Sequence, residues 1–133
     1  MSVAEKRAAL AIAANGAPVV SKGKAKYRVG SALVHVRFCS ENVEAPAKFK
    51  FNINPNTLTA EYELWVCGSA AYYYLVPISF IRDIYDDPNT YEDRHHPGIK
   101  VVSVDADSHR VTYASGGVCA GLRSFFRATL PMS

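Results

Sequence analysis

His35 and Arg37 stand two residues apart in a run, Leu33 to Cys39, whose side chains alternate like those of a strand. Leu33, His35, Arg37 and Cys39 fall on one face, and Val34, Val36 and Phe38 on the other. An imidazole and a guanidinium on one face both offer N–H donors, which suits an anion such as a phosphate. The plainer alternative is a structural or surface histidine. Just upstream, Lys22, Lys24, Lys26 and Arg28 crowd one short stretch. Such a cluster marks either a phosphate-contacting surface or a solvated basic loop. Together these six residues form the candidate nucleic-acid-binding set.

Other groups have chemistry-bearing types but weaker spacing. Asp105, Asp107 and His109 alternate within VDADSHRV, where a polar turn explains them as well as metal ligation does. Glu92, Asp93, His95 and His96 lie in a proline-containing polar loop, and a metal site needs converging donors. There is no glycine-rich phosphate loop, no GxSxG and no Cys/His nucleophile pattern. No catalytic residue, metal or cofactor is therefore assigned. Tyr72, Tyr73 and Tyr74 form an unusual triplet. Alternation sends Tyr72 and Tyr74 to one face, for core packing with one exposed edge or for a stacking platform.

The cysteines, Cys39, Cys67 and Cys119, are widely spaced and odd in number, which argues against a disulfide framework. They are expected as buried, reduced thiols. At 133 residues the chain is expected to form one domain, 1–133, long enough to bury a core. No apolar run approaches the roughly 20 residues of a membrane span, and Glu5, Lys6 and Arg7 interrupt the start where a signal peptide would stay apolar. A cytoplasmic location follows as the expectation, with no membrane partner. Residues 1–50 hold nine Lys/Arg against three acids, and residues 51–133 hold six against nine. The first part thus carries +6 and the second −3, summing to +3. A basic half is the footprint of a nucleic-acid surface, or simply of solvated lysines.

These residues need elements to position them. Val3 to Ala14 reads as a helix with Ala8, Leu10 and Ile12 for packing, Ser2 as its N-cap and Glu5 completing a capping box. Asn15-Gly16 stops it. Val19-Val20 begins a strand, SKGKAK is a hairpin tip, and Tyr27 to Val29 is a short strand. Phe49 to Ile53 alternates as a half-buried strand, and Asn54-Pro55-Asn56 turns. In the next strand, up to Cys67, Tyr62, Leu64 and Val66 lie opposite Glu61, Glu63 and Trp65. Gly68-Ser69 then leads into Tyr72 to Val76, and Pro77 opens a short helix reaching Tyr85. Ile99 to Val104 and Arg110 to Ala114 form a hairpin, and Leu122 to Leu130 a short helix or irregular end. The fold class is α+β or α/β: an N-terminal helix and a central mixed sheet of about five to seven strands, with short helices packed on it.

The pieces AEKRAALAIAANG, LVHVRF, KFKFNI and AEYELWVCGSAAYYYLVPISFI, in that order over residues 3 to 84, resemble the restriction-endonuclease-like (PD-(D/E)XK) superfamily, most of all its Holliday-junction-resolvase-like branch. The resemblance implies a nuclease-like domain. Its catalytic motif is degenerate. The acidic or amide position falls on His35 and the lysine position on Arg37, while no Asp precedes Asp83. Histidine is a poor Mg²⁺ ligand and arginine stays protonated. The reading is an inactive nuclease-like domain, expected to be homo-oligomeric, that binds DNA or RNA or else a protein partner. Its alternatives are a small homo-oligomeric protein-interaction domain, and an active nuclease with a migrated site drawing on Glu5, Glu41, Glu61 or Glu63.

Overall fold

A computed structural model describes residues 2–131, with the side chain of Ser2, and so the expected N-cap, outside the described part. Helix α1 spans Ser2–Ala14 and stops where Asn15 and Gly16 take positive φ, 51° and 88°. There the left-handed backbone ends the hydrogen-bond ladder. The chain then lays down β1 (Val19–Gly23), β2 (Lys26–Val29), β3 (Ala32–Cys39), β4 (Lys48–Ile53), β5 (Tyr62–Cys67) and β6 (Tyr73–Pro77). Helix α2 (Ile78–Tyr85) follows, then β7 (Lys100–Asp105), β8 (Arg110–Ala114) and β9 (Val118–Gly121).

The nine strands of the described residues form two sheets rather than one. The first has the order β1-β2-β3-β5-β6, with β3 and β5 parallel and every other pair antiparallel. The second is antiparallel throughout, in the order β4-β7-β8-β9. The expectation of one central sheet thus holds only for the mixed five-stranded sheet. The physical reason for the second sheet lies in β4. Its Phe49, Phe51 and Ile53 are buried and its Lys48, Lys50 and Asn52 exposed, so it covers a core with one face and meets water with the other. Such a strand belongs to an outer layer.

The result is three layers. Helix α1 covers one face of the first sheet, packing Ala9, Leu10, Ala13 and Ala14 against Val34, Val36, Leu64, Val66, Tyr73 and Leu75. Leu10 is among the expected packing residues, but Ala8 and Ile12 point to solvent and alanines one position on replace them. The opposite face meets the second sheet and α2. There Trp65, Cys67, Tyr74 and Val76 join Phe49, Phe51, Val102, Val104, Ile81 and Ile84. Covered on both sides, β5 and β6 are buried almost end to end. Trp65 stacks on Phe51 across the layers, with centroids 5.5 Å apart and planes 21° apart. Among the described residues, no helix is long and apolar enough to cross a membrane.

Beyond Tyr85, residues 86–98 run as turns pinned to the second sheet, with Tyr91 N–H donating to Tyr113 O at 2.9 Å. Of the two endings expected for Leu122 to Leu130, a short helix or an irregular segment, the structure has the irregular one, with a single 3₁₀ turn at Arg123–Phe125. The tail beyond it lies along β6: Arg127 N–H donates to Tyr73 O at 3.0 Å, and Tyr73 Oη donates to Ala128 O at 2.9 Å. Cys67 is buried and Cys39 half-buried, but Cys119 is exposed, because β9 is an edge strand with little cover. All three are free thiols.

Candidate nucleic-acid interface

Register determines which side chains share a face. Lys26 lies opposite His35, and Arg28 opposite Leu33, across β2 and β3. His35 lies opposite Glu63, and Arg37 opposite Trp65, across β3 and β5. Side chains directly opposite share a face, so Lys26, Arg28, His35, Arg37 and Glu63 all project from the same side of the first sheet. That side is the one facing α2 and the second sheet.

Glu63 is fully buried at 0% exposure and His35 at 8%. Both carboxylate oxygens are engaged. Oε2 lies 3.1 Å from His35 Nδ1, and Oε1 accepts from Arg37 Nε. Arg37 also donates from Nη2 to Thr57 Oγ1 at 2.8 Å, and that hydroxyl donates to Asn54 O at 2.7 Å. The network ties β3 to β5 and to the Asn54–Thr57 turn. A buried carboxylate is tolerated because charged donors complete its shell. The Tyr85 hydroxyl is buried beside this network with no hydrogen-bond partner among the described residues. Burial pushes it above the usual phenol range, Arg37 opposing and Glu63 assisting.

The remaining cations lie outside. Every residue of β1 is exposed, Lys22 included, and Lys24 sits in the β1–β2 turn with φ 52°. Lys26 is half-buried and donates from Nζ to Thr59 Oγ1. Arg28 is exposed and donates from Nη1 to Ser31 O at 3.3 Å. Among the described residues none of these four makes a salt bridge. Of the six sequence-derived candidates, four therefore form an open cationic ribbon. His35 and Arg37 lie inward on Glu63.

The other clusters disperse. Asp105 receives Lys48 Nζ at 2.6 Å and the N–H groups of Asp107 and Ser108, and Lys48 above all holds its carboxyl below the usual range. His109 Nδ1 lies 2.7 Å from Tyr74 Oη. Asp93 is lowered chiefly by the His95 N–H and then by His96, and Glu92 accepts from Gly98 N–H at 2.7 Å. Among the described residues no three His, Cys, Asp or Glu side chains gather as a metal site. Tyr73 faces α1, Tyr74 faces the second sheet, and Tyr72 is 48% exposed.

Sequence reasoning missed the pairing of Glu63 with His35 and Arg37. A signal was present: an acid inside the apolar run YELWVC needs a buried partner, and His35 and Arg37 offered the right alternation. The parallel pairing of β3 with β5 was the missing piece. In comparisons with known proteins, the chain matches no protein family, no curated protein and no solved structure.

Proposed function

We propose that this chain is a non-hydrolytic, nuclease-like domain that binds nucleic acid through its β1–β2 ribbon. The observation that carries the reading is the set Lys22, Lys24, Lys26 and Arg28, four cations on one hairpin with no carboxylate partner among the described residues. Lys6 and Arg7 of α1 line a recess on the other face of the same ribbon, with Val19, Ser21 and Tyr27, so they lie apart from Lys26 and Arg28. Phosphate contacts of this kind give sequence-tolerant binding through counterion release. Glu63 supports the non-hydrolytic part, because both its oxygens are held by His35 and Arg37 rather than turned to a cation.

The test is fluorescence anisotropy with duplex DNA, single-stranded DNA and RNA over a range of salt. Four phosphate contacts predict a log–log salt slope of roughly −3 to −4. A variant combining Lys22→Glu, Lys24→Glu, Lys26→Glu and Arg28→Glu should lose binding, and each single change should flatten the slope by about one. No binding by the unaltered protein at about 50 mM salt sinks the proposal, since low salt favours even non-specific binders. With Mg²⁺ or Mn²⁺ no cleavage is expected. Cleavage abolished by Glu→Gln at position 5, 41, 61 or 63 would establish the migrated-site nuclease instead.

A further inference from the structure

A separate recess of about 410 Å³ opens where β3 and β5 end, between the two sheets. Its volume is that of a small-molecule site. The chain past β3 contributes Glu41, the end of β5 contributes Cys67, the β5–β6 connection contributes Gly68 and Tyr72, β4 contributes Phe49, and the β7–β8 turn contributes Asp107. Because β3 and β5 run parallel, their carboxyl ends open on the same side. In parallel α/β sheets that is where ligands settle.

The floor is apolar and uncharged. Phe49 is 4% exposed and Cys67 2%. Burial, then the neighbouring Cys39, pushes the Cys67 thiol far above its ordinary range, so it stays protonated. Gly68 keeps the wall open: at φ +79°, a Cβ there would lie 3.2 Å from the Phe49 ring and 3.7 Å from Glu41 Cβ. The rim is anionic. Among the described residues, the Glu41 and Asp107 carboxylates have no ion-pair partner, and no Lys or Arg lines the recess, on a chain of net charge +3. Tyr72 borders it with a half-exposed ring whose centroid is 6.1 Å from that of Phe126. An aromatic ring beside carboxylates attracts an organic cation. Two carboxylates over an apolar floor are too few oxygen ligands for Ca²⁺, which takes six to eight.

We infer that this recess binds a small organic monocation with an apolar body, an aryl- or alkylammonium. Its ammonium lies between Glu41, Asp107 and Tyr72, and its hydrocarbon rests on Phe49 and Cys67.

The experiment is an amide NMR titration of the whole chain with phenethylammonium chloride. Saturable shifts should concentrate at Gly68, Ser69, Tyr72 and Asp107, with a Kd of about 1 mM or tighter. The neutral 2-phenylethanol and the anionic phenylacetate should bind at least about tenfold more weakly. A Glu41→Gln/Asp107→Asn variant should lose about tenfold in affinity. Tyr72→Ala should lose about threefold while Tyr72→Phe retains binding. A parallel arm with N-acetyl-lysine methylamide separates a free amine from a lysine side chain as the source of the ammonium, the tighter binder being the source. The inference is overturned if phenethylammonium gives no saturable shifts at about 20 mM, if 2-phenylethanol binds as tightly, or if the double variant binds unchanged.

Discussion

Glu63 is a buried carboxylate whose energetics hang on its partners. It is wholly enclosed, and its charge is balanced by Arg37 with His35 alongside. Removing one member of a buried pair leaves the other uncompensated, at a cost of about 3–5 kcal/mol. Glu63→Ala should therefore destabilise by about that amount in urea denaturation. A triple replacement, His35→Leu, Arg37→Met and Glu63→Leu, should recover most of the loss, because apolar residues of similar volume often match a buried ion network. If the triple variant is no more stable than Glu63→Ala, the charges are not the cause. The Tyr85 hydroxyl predicts the opposite sign. It is buried without a partner, so the folded state carries its desolvation cost with no returning bond. Tyr85→Phe should leave the melting temperature unchanged or raise it; a loss above about 1 kcal/mol would reveal a bond to this hydroxyl.

Among the elements, the β4–β7 pair offers a pH test. Lys48 stands opposite Asp105 and donates to its carboxylate. The Asp105 pKa is depressed on folding, so its contribution is present above the unfolded value and is lost as pH falls through the folded one. NMR titration should place Asp105 below the ordinary aspartate range, and Lys48→Met should bring it back up. Both groups meet solvent, so the stability change should stay within about 1 kcal/mol. The tail beyond the Arg123–Phe125 turn is another element with a task, since it covers the outer edge of β6 through Arg127, Ala128 and Tyr73. Ending the chain at Gly121 should expose that edge and promote aggregation, measured by light scattering on refolding. Several elements were legible because their alternation or punctuation is local: β4 in KFKFNI, α1 closing at Asn15-Gly16, and the hairpin around SKGKAK. The division into two sheets was not. Whether KFKFNI pairs with its neighbours or with Lys100–Asp105 depends on contacts spanning half the chain, which alternation does not encode. β9 was missed for another reason: VCAG is short, exposed and lacks a period. At the candidate interface, the open cations could be read from composition, but the inward turn of His35 and Arg37 needed the parallel partner.

The whole molecule is interleaved rather than modular. The first sheet is complete by Pro77, yet β4, inserted between β3 and β5 in sequence, belongs to the second sheet. Trp65 of the first sheet stacks on Phe51 of the second, so the core between the sheets needs both of them. Tryptophan fluorescence and far-ultraviolet circular dichroism should therefore report one coincident unfolding transition; two separated midpoints would mean that the sheets melt independently. The same interleaving sets a timetable during synthesis. β4 emerges early, but the strand it pairs with begins only at Lys100. At about 5–20 residues per second, roughly 50 residues amount to a wait of about 3–10 s. Throughout that interval Phe49, Phe51 and Ile53 have no cross-strand neighbour, and the growing chain must shelter them by other means or meet a chaperone.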